Sequence, residues 1–256
     1  MCITKHLAIA MLTRSKGIRT KGLLAKVLAL NILAIVGTVA LSAPFDKIAK
    51  QFDDGGFITY FSVIQLFILS FYACQIFKIR RQYIIHPWQS SIAIWAIVSL
   101  GFSFLALDDL LMIHEWLDKV IHGIGGFEET GWSDRIDDFI VGLYGLLAIG
   151  GLVHYRQEIK KYKAVLPTVI IGFVLLFLMV TVDAVTNRDD VLLMIFSPET
   201  TKSIMDWIFI PEESFKLLSE AYLIVAAYNC LSIAKQLSAQ QTSLPKETSV
   251  GKQVKA

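Results

Sequence analysis

Asp108-Asp109 and His114-Glu115 lie within one apolar segment, and Asp118 and His122 follow them. At about 100° per residue, Asp108, Glu115 and His122 recur every seventh position on one helix face. Asp118 falls at the edge of that face, and His114 is one turn from Asp118. Carboxylates alternating with imidazoles form a hard-to-borderline ligand set. The stripe therefore predicts a divalent metal (Zn, Mn, Fe or Mg) held by Asp108, His114 and Glu115. A second set follows Pro211, where Glu213, Lys216 and Glu220 share a face by the i, i+3, i+7 rule. Glu220 is the fourth predicted metal ligand. Glu115 and Glu213 are the candidate general bases for a metal-activated water. Asp109, Asp118, His122, Asp183 and Lys216 are expected to support them.

Plainer roles compete at each position. Glu212 and Glu213 after Pro211, and Asp137 and Asp138, also read as first-turn acids that favour a helix start. Asp53, Asp54, Glu128, Glu129, Asp189 and Asp190 read as solvated loop acids. His86 and His154 read as interfacial. The sequence contains no Gly-rich phosphate loop, HExxH, GxSxG or Glu-x-x-His pair.

The elements that must position these groups are apolar and long. Of the 256 residues, 55% are apolar and 18% charged, against about 25% charged in a soluble domain. The charges fall between uncharged runs, which excludes a soluble enzyme, a disordered chain and a fibrous repeat. A membrane-crossing helix needs about 20 mostly apolar residues. Six windows qualify: 23–41, 57–77, 88–107, 139–155, 165–182 and 215–233. Lipid leaves no backbone group unpaired, so spans are helices or closed barrels. These windows lack the alternation of barrel strands. The expected fold is all-α: a polytopic membrane protein of six transmembrane helices. Residues 1–22 form a basic cytoplasmic arm, 23–235 the six-helix domain, and 236–256 a disordered cytoplasmic tail.

Charge gives the orientation. Seventeen of the 24 Lys and Arg lie before span one or at its start (Lys26), between spans two and three, between four and five, or in the tail, with only Glu158 and Glu247 among the 22 acids. The positive-inside rule then places both termini in the cytoplasm, N-in and C-in. The expected location is a bacterial inner membrane. Topology and anionic lipid account for the basic side, so no nucleic-acid partner is implied. Ala40-Leu41-Ser42-Ala43-Pro44 makes a poor cleavage site, and span one reads as an uncleaved anchor.

Apolar periodicity runs through Asp108, so helix three is expected to extend on the outer side from Trp88 to His122, about 50 Å at 1.5 Å per residue. This exceeds the hydrocarbon thickness of about 30 Å. Asp108 and Asp109 then sit near the outer boundary, and if the helix ended there they would meet the negative end of its dipole. A metal, Arg135, Arg188 or Lys216 is needed to compensate. Gly142, Gly145, Gly150 and Gly151 in span four are expected to admit a neighbouring helix. Ser197-Pro198-Glu199 predicts the start of a short helix through about Phe209.

Three functions fit this pattern. The first is a metal-dependent hydrolase or transferase acting at the outer boundary on a lipid-like substrate. The second is an ion- or proton-coupled transporter. The third is a non-enzymatic assembly or sensor module. A carboxylate inside a span, such as Glu220, is costly unless it faces the bundle interior with a partner, which favours the first two.

Overall fold

The computed structural model describes residues 3–45, 47–53, 55–125, 136–186 and 192–243. Among these residues the regular elements are all helical, and no strand occurs. In chain order they are α1 (Ile3–Ser42), α2 (Ile48–Phe52), α3 (Phe57–Arg81), α4 (Ala93–Leu111), α5 (Ile113–Gly125), α6 (Ile136–His154), α7 (Arg156–Ile159), α8 (Leu166–Thr186) and α9 (Pro198–Ser243). Five segments are long and apolar enough to cross a membrane: Gly22–Phe45, Ile48–Arg81, Ala93–Leu111, Arg156–Ala184 and Pro198–Gln240. The window predicted at 139–155 falls on α6, whose apolar part, Gly142–His154, is shorter. These helices are compatible with an integral membrane protein.

α3 and α9 form the centre. They pack against each other, α4 lies along α3, α8 along α9, and α1 leans on α9. Their contacts separate by depth. Phe52, Ile58 and Leu217 are buried together near the α2 end, Leu66, Leu69, Ala106 and Ile224 in the middle, and Ala73, Ile76, Trp95 and Ala226 at the far end. Large apolar side chains on the outer faces remain exposed, including Leu33, Phe71, Leu146 and Phe177. That is the surface that lipid requires.

Several helix boundaries differ from the sequence reading. Helix three does not run from Trp88 to His122. Pro87–Gln89 forms a 3-10 turn, and α4 begins at Ala93. The helix then breaks at Met112, a left-handed residue (φ 51°, ψ 48°) whose N–H bonds back to the Asp108 carbonyl. α5 restarts at once in a new direction and packs on α6. At the other end of the chain, the predicted short helix after Ser197 and span six are one helix. Ser197 Oγ accepts the Thr200 N–H (3.4 Å), and α9 passes through Pro211 without ending. Glu212 and Glu213 therefore lie mid-helix and are not first-turn acids. α1 runs unbroken from Ile3 into the first span, and α9 continues to Ser243. Residues 244–256 lie outside the described residues.

Of the four span-four glycines only Gly151 approaches a neighbouring helix, a Cβ there lying 3.7 Å from Ile94 Cδ1 of α4, and the tightest approach falls elsewhere. A Cβ at Gly142, Gly145 or Gly150 would meet nothing within 4 Å among the described residues. A Cβ at Gly172 in α8 would lie 3.0 Å from the Leu223 side chain and 3.3 Å from the Ser219 carbonyl oxygen of α9. Gly172 is what lets these two helices touch.

Candidate functional site

The site gathers where the start of α3, the end of α4 and the middle of α9 meet. Gly55, in the left-handed region (φ 72°), and Gly56, whose absent Cβ would sit 2.5 Å from the Gln51 carbonyl oxygen, make the sharp entry to α3. Only glycine fits both demands. Thr59 Oγ1 donates to the Asp53 carbonyl (3.1 Å) and ties the entry down. One turn further, Ser62 is fully buried.

Ser62 Oγ stands between two carboxylates. It lies 2.6 Å from Glu220 Oε1 and 3.0 Å from Asp109 Oδ2. Asp109 Oδ1 accepts a charge-assisted bond from Lys216 Nζ at 2.9 Å. Lys216 Nζ is also 3.6 Å from Glu213 Oε1. The cation needed at the negative end of α4 is thus Lys216, supplied by α9. Arg135 and Arg188 lie outside the described residues. Glu220 is buried, and its partner is Ser62, although Lys216 is nearer in sequence. Its other oxygen, Oε2, has no hydrogen-bond partner among the described residues. Three carboxyl groups therefore surround one ammonium and one hydroxyl.

A second pair lies beside this group. Asp108 Oδ1 accepts the His114 backbone N–H (2.9 Å), and Oδ2 lies 3.2 Å from His114 Nδ1. Asp108 thereby bridges the Met112 break, satisfying an N–H in the first turn of α5 while orienting the imidazole. The buried Tyr144 hydroxyl of α6 has no partner among the described residues, and its ring meets Phe104 of α4 edge-on at 5.2 Å.

The other predicted members stand apart. Glu115 pairs with Lys119 (3.3 Å) along α5, at the surface. His122 is half-buried near the end of α5, and Asp183 half-buried near the end of α8. The side chains of Asp118, Asp137 and Asp138 lie outside the described residues. The turn at Met112 explains the separation, because the seven-residue stripe of Asp108, Glu115 and His122 needs one unbroken helix. Among the described residues, no three His, Cys, Asp or Glu side chains are grouped so as to hold a metal ion.

A family model, "Domain of unknown function (DUF8692)", matches residues 23–231. The chain belongs to the DUF8692 family. The match runs from the first membrane segment to the last third of α9, so every residue of both groups lies within the DUF8692 domain. No curated protein and no solved structure matches the chain.

Sequence reasoning missed Ser62, and with it the central link of this DUF8692 site. A signal was present: Ser62 and Gln65 are polar, three residues apart, inside an apolar run. Both face inward. Gln65 exchanges amide hydrogen bonds with Asn31 of α1 (Gln65 Nε2 to Asn31 Oδ1 2.9 Å, Asn31 Nδ2 to Gln65 Oε1 3.3 Å). The pair satisfies both buried amides and joins α1 to the centre.

Proposed function

We propose that this protein is a proton-coupled membrane transporter whose coupling site is Glu220–Ser62–Asp109–Lys216. One observation carries the reading. A serine hydroxyl has a single proton, yet Ser62 Oγ lies within hydrogen-bond distance of two carboxyl groups. Both contacts are favourable only when one carboxyl holds a proton and donates it to Oγ, which in turn donates to the other. The Lys216 ammonium donates to Asp109 and not to Glu220, so the shared proton is assigned to Glu220. Proton release from Glu220 breaks one of the two contacts, which couples its charge to the fit of α3, α4 and α9.

The topology we infer has six spans, both termini in the cytoplasm, and the site near the outer boundary of a bacterial inner membrane. α6 supports the sixth span: its 19 residues reach about 28 Å, close to the hydrocarbon thickness of about 30 Å.

Infrared difference spectroscopy of the purified protein across a pH step tests the proton. A protonated-carboxyl C=O band is expected in the wild type and in Glu213→Gln, and its loss in Glu220→Gln. Persistence of the band in Glu220→Gln overturns the assignment. In proteoliposomes with an imposed pH gradient, the wild type is expected to move protons and Glu220→Gln to fail. Equal dissipation by both removes the transport reading.

The Asp108–His114 pair favours a second reading, a hydrolase or transferase acting on a lipid-like substrate. An imidazole held through Nδ1 by a carboxylate is oriented to act as a base or a metal ligand through Nε2. Metal analysis separates the two. Stoichiometric Zn, Mn, Fe or Mg in the wild type, absent from Asp108→Ala and Glu213→Ala, selects the enzyme. Equal trace metal in all three removes the metal-dependent enzyme and leaves transport or a non-enzymatic module.

A further inference from the structure

The opposite end of the bundle holds a cavity that the proposed coupling site does not use. α6 ends at His154, and Tyr155 turns the chain into α7, its N–H bonding the Gly151 carbonyl at 3.0 Å. Across from it, the 3-10 turn Pro87–Gln89 leads into α4, held by Ser90 Oγ donating to the Pro87 carbonyl (2.8 Å). Between these two corners lies an open surface cavity of about 290 Å³, lined by exposed Gln89, His154, Arg156 and Gln157 with half-buried Ser91. The His154 ring packs edge-on against Tyr155 at 4.6 Å.

The lining contains guanidinium, imidazole, amide and hydroxyl groups and no carboxylate. The nearest acid in the chain, Glu158, is fully buried and turned away: it holds Arg80 (3.3 Å), Lys161 and the Tyr162 hydroxyl (3.3 Å). Arg156 is exposed and has no ion-pair partner among the described residues. A planar guanidinium among neutral hydrogen-bonding groups matches a tetrahedral oxyanion, above all phosphate. The flanks are apolar. Ile85 is 90% exposed and Trp88 66% exposed beside the 3-10 turn. Val153 and Ile149 continue as an exposed apolar strip along α6. A ligand with a phosphate in the cavity and hydrocarbon along that strip meets complementary chemistry at both ends.

The geometry points to a phosphate site for an anionic phospholipid, with the headgroup phosphodiester on Arg156, Gln89 and Ser91 and an acyl chain on the outer face of α6. Binding to the full chain in detergent, followed by native mass spectrometry or Trp fluorescence, tests it with three probes: short-chain phosphatidylglycerol, short-chain phosphatidylcholine and inorganic phosphate. Phosphatidylglycerol is expected to bind saturably and more tightly than the other two. Arg156→Gln is expected to weaken it about tenfold or more, the loss of one charge-assisted donor. Lys160→Gln, an exposed cation outside the cavity, is expected to leave affinity within about twofold. Equal affinity in wild type and Arg156→Gln overturns the site, as does equal loss in Lys160→Gln, which would mean diffuse charge attraction. Equal binding of the two lipids refutes the anionic headgroup. Inorganic phosphate binding as tightly as phosphatidylglycerol refutes the lipid and leaves a free phosphate ion as the ligand.

Discussion

Replacing Lys216 with Met keeps an unbranched apolar stem of similar reach and removes the ammonium, with its charge and its hydrogen bond to Asp109. Lys216 is 16% exposed, and its partners Asp109 and Glu213 are 20% and 14% exposed. Removing one member of a buried pair costs about 3–5 kcal/mol, because the remaining charge stays buried and uncompensated. Partial exposure screens the charges, which places the expected loss near the lower limit, about 3 kcal/mol. For a chain of this size, about 2–4 °C per kcal/mol gives a drop in Tm of roughly 6–12 °C. Thermal unfolding in detergent, read by Trp fluorescence, measures it. Adding Asp109→Asn to Lys216→Met removes the orphaned charge, and about half of the loss should return. A Lys216→Met shift smaller than about 2 °C would refute the reasoning, since Lys216 would then not be the counter-ion at the end of α4. Rescue by Glu213→Gln but not by Asp109→Asn would move the pairing to the longer contact at 3.6 Å.

Three further outcomes follow from the packing. Asn31→Leu and Gln65→Leu each orphan a buried amide and should cost about 1–2 kcal/mol, while the double variant should lie closer to wild type than the sum; additive losses in a double-mutant unfolding cycle would contradict the exchanged amide bonds. Met112→Gly should raise stability by about 1 kcal/mol, because a left-handed backbone costs an L side chain about that much and Met112 is 37% exposed and loses little packing; a lower Tm would contradict the break between α4 and α5. Gly172→Val should destabilise the protein by about 1–3 kcal/mol by overpacking, with Leu223 and the Ser219 carbonyl in the way; Gly145→Val, with open space around it, serves as the control and should unfold within about 1 °C of wild type.

The helical character of the chain, with segments long and apolar enough to cross a membrane, was legible in its sequence, because both causes are local. An uninterrupted apolar run sets the length of a span, and lipid forces its backbone to bond within itself. The face shared by Glu213, Lys216 and Glu220 was legible for the same reason, since the helical repeat determines it residue by residue. The need for a cation at Asp109 was legible only conditionally, because it arises from a helix ending there.

The partners of these groups could not be read locally. Asp109 and Lys216 are 107 positions apart, and Ser62 and Glu220 are 158 apart. Nothing in either segment names the other, and only the packing of α3, α4 and α9 brings them within hydrogen-bond distance. The left-handed turn at Met112 is equally opaque in sequence, because methionine is a good helix former. Asp108 binding the His114 N–H, and α5 packing on α6, oppose the strain that the turn introduces. That single turn sends Glu115 to the surface and breaks the expected stripe, leaving an Asp108–His114 pair beside the cluster that Asp109 of α4 forms with Lys216 of α9. The composition of the membrane segments and the residues of each helix face thus belong to the chain itself. The pairing of charges across helices belongs to the packed bundle, where burial leaves each carboxylate only the donors that neighbouring helices supply.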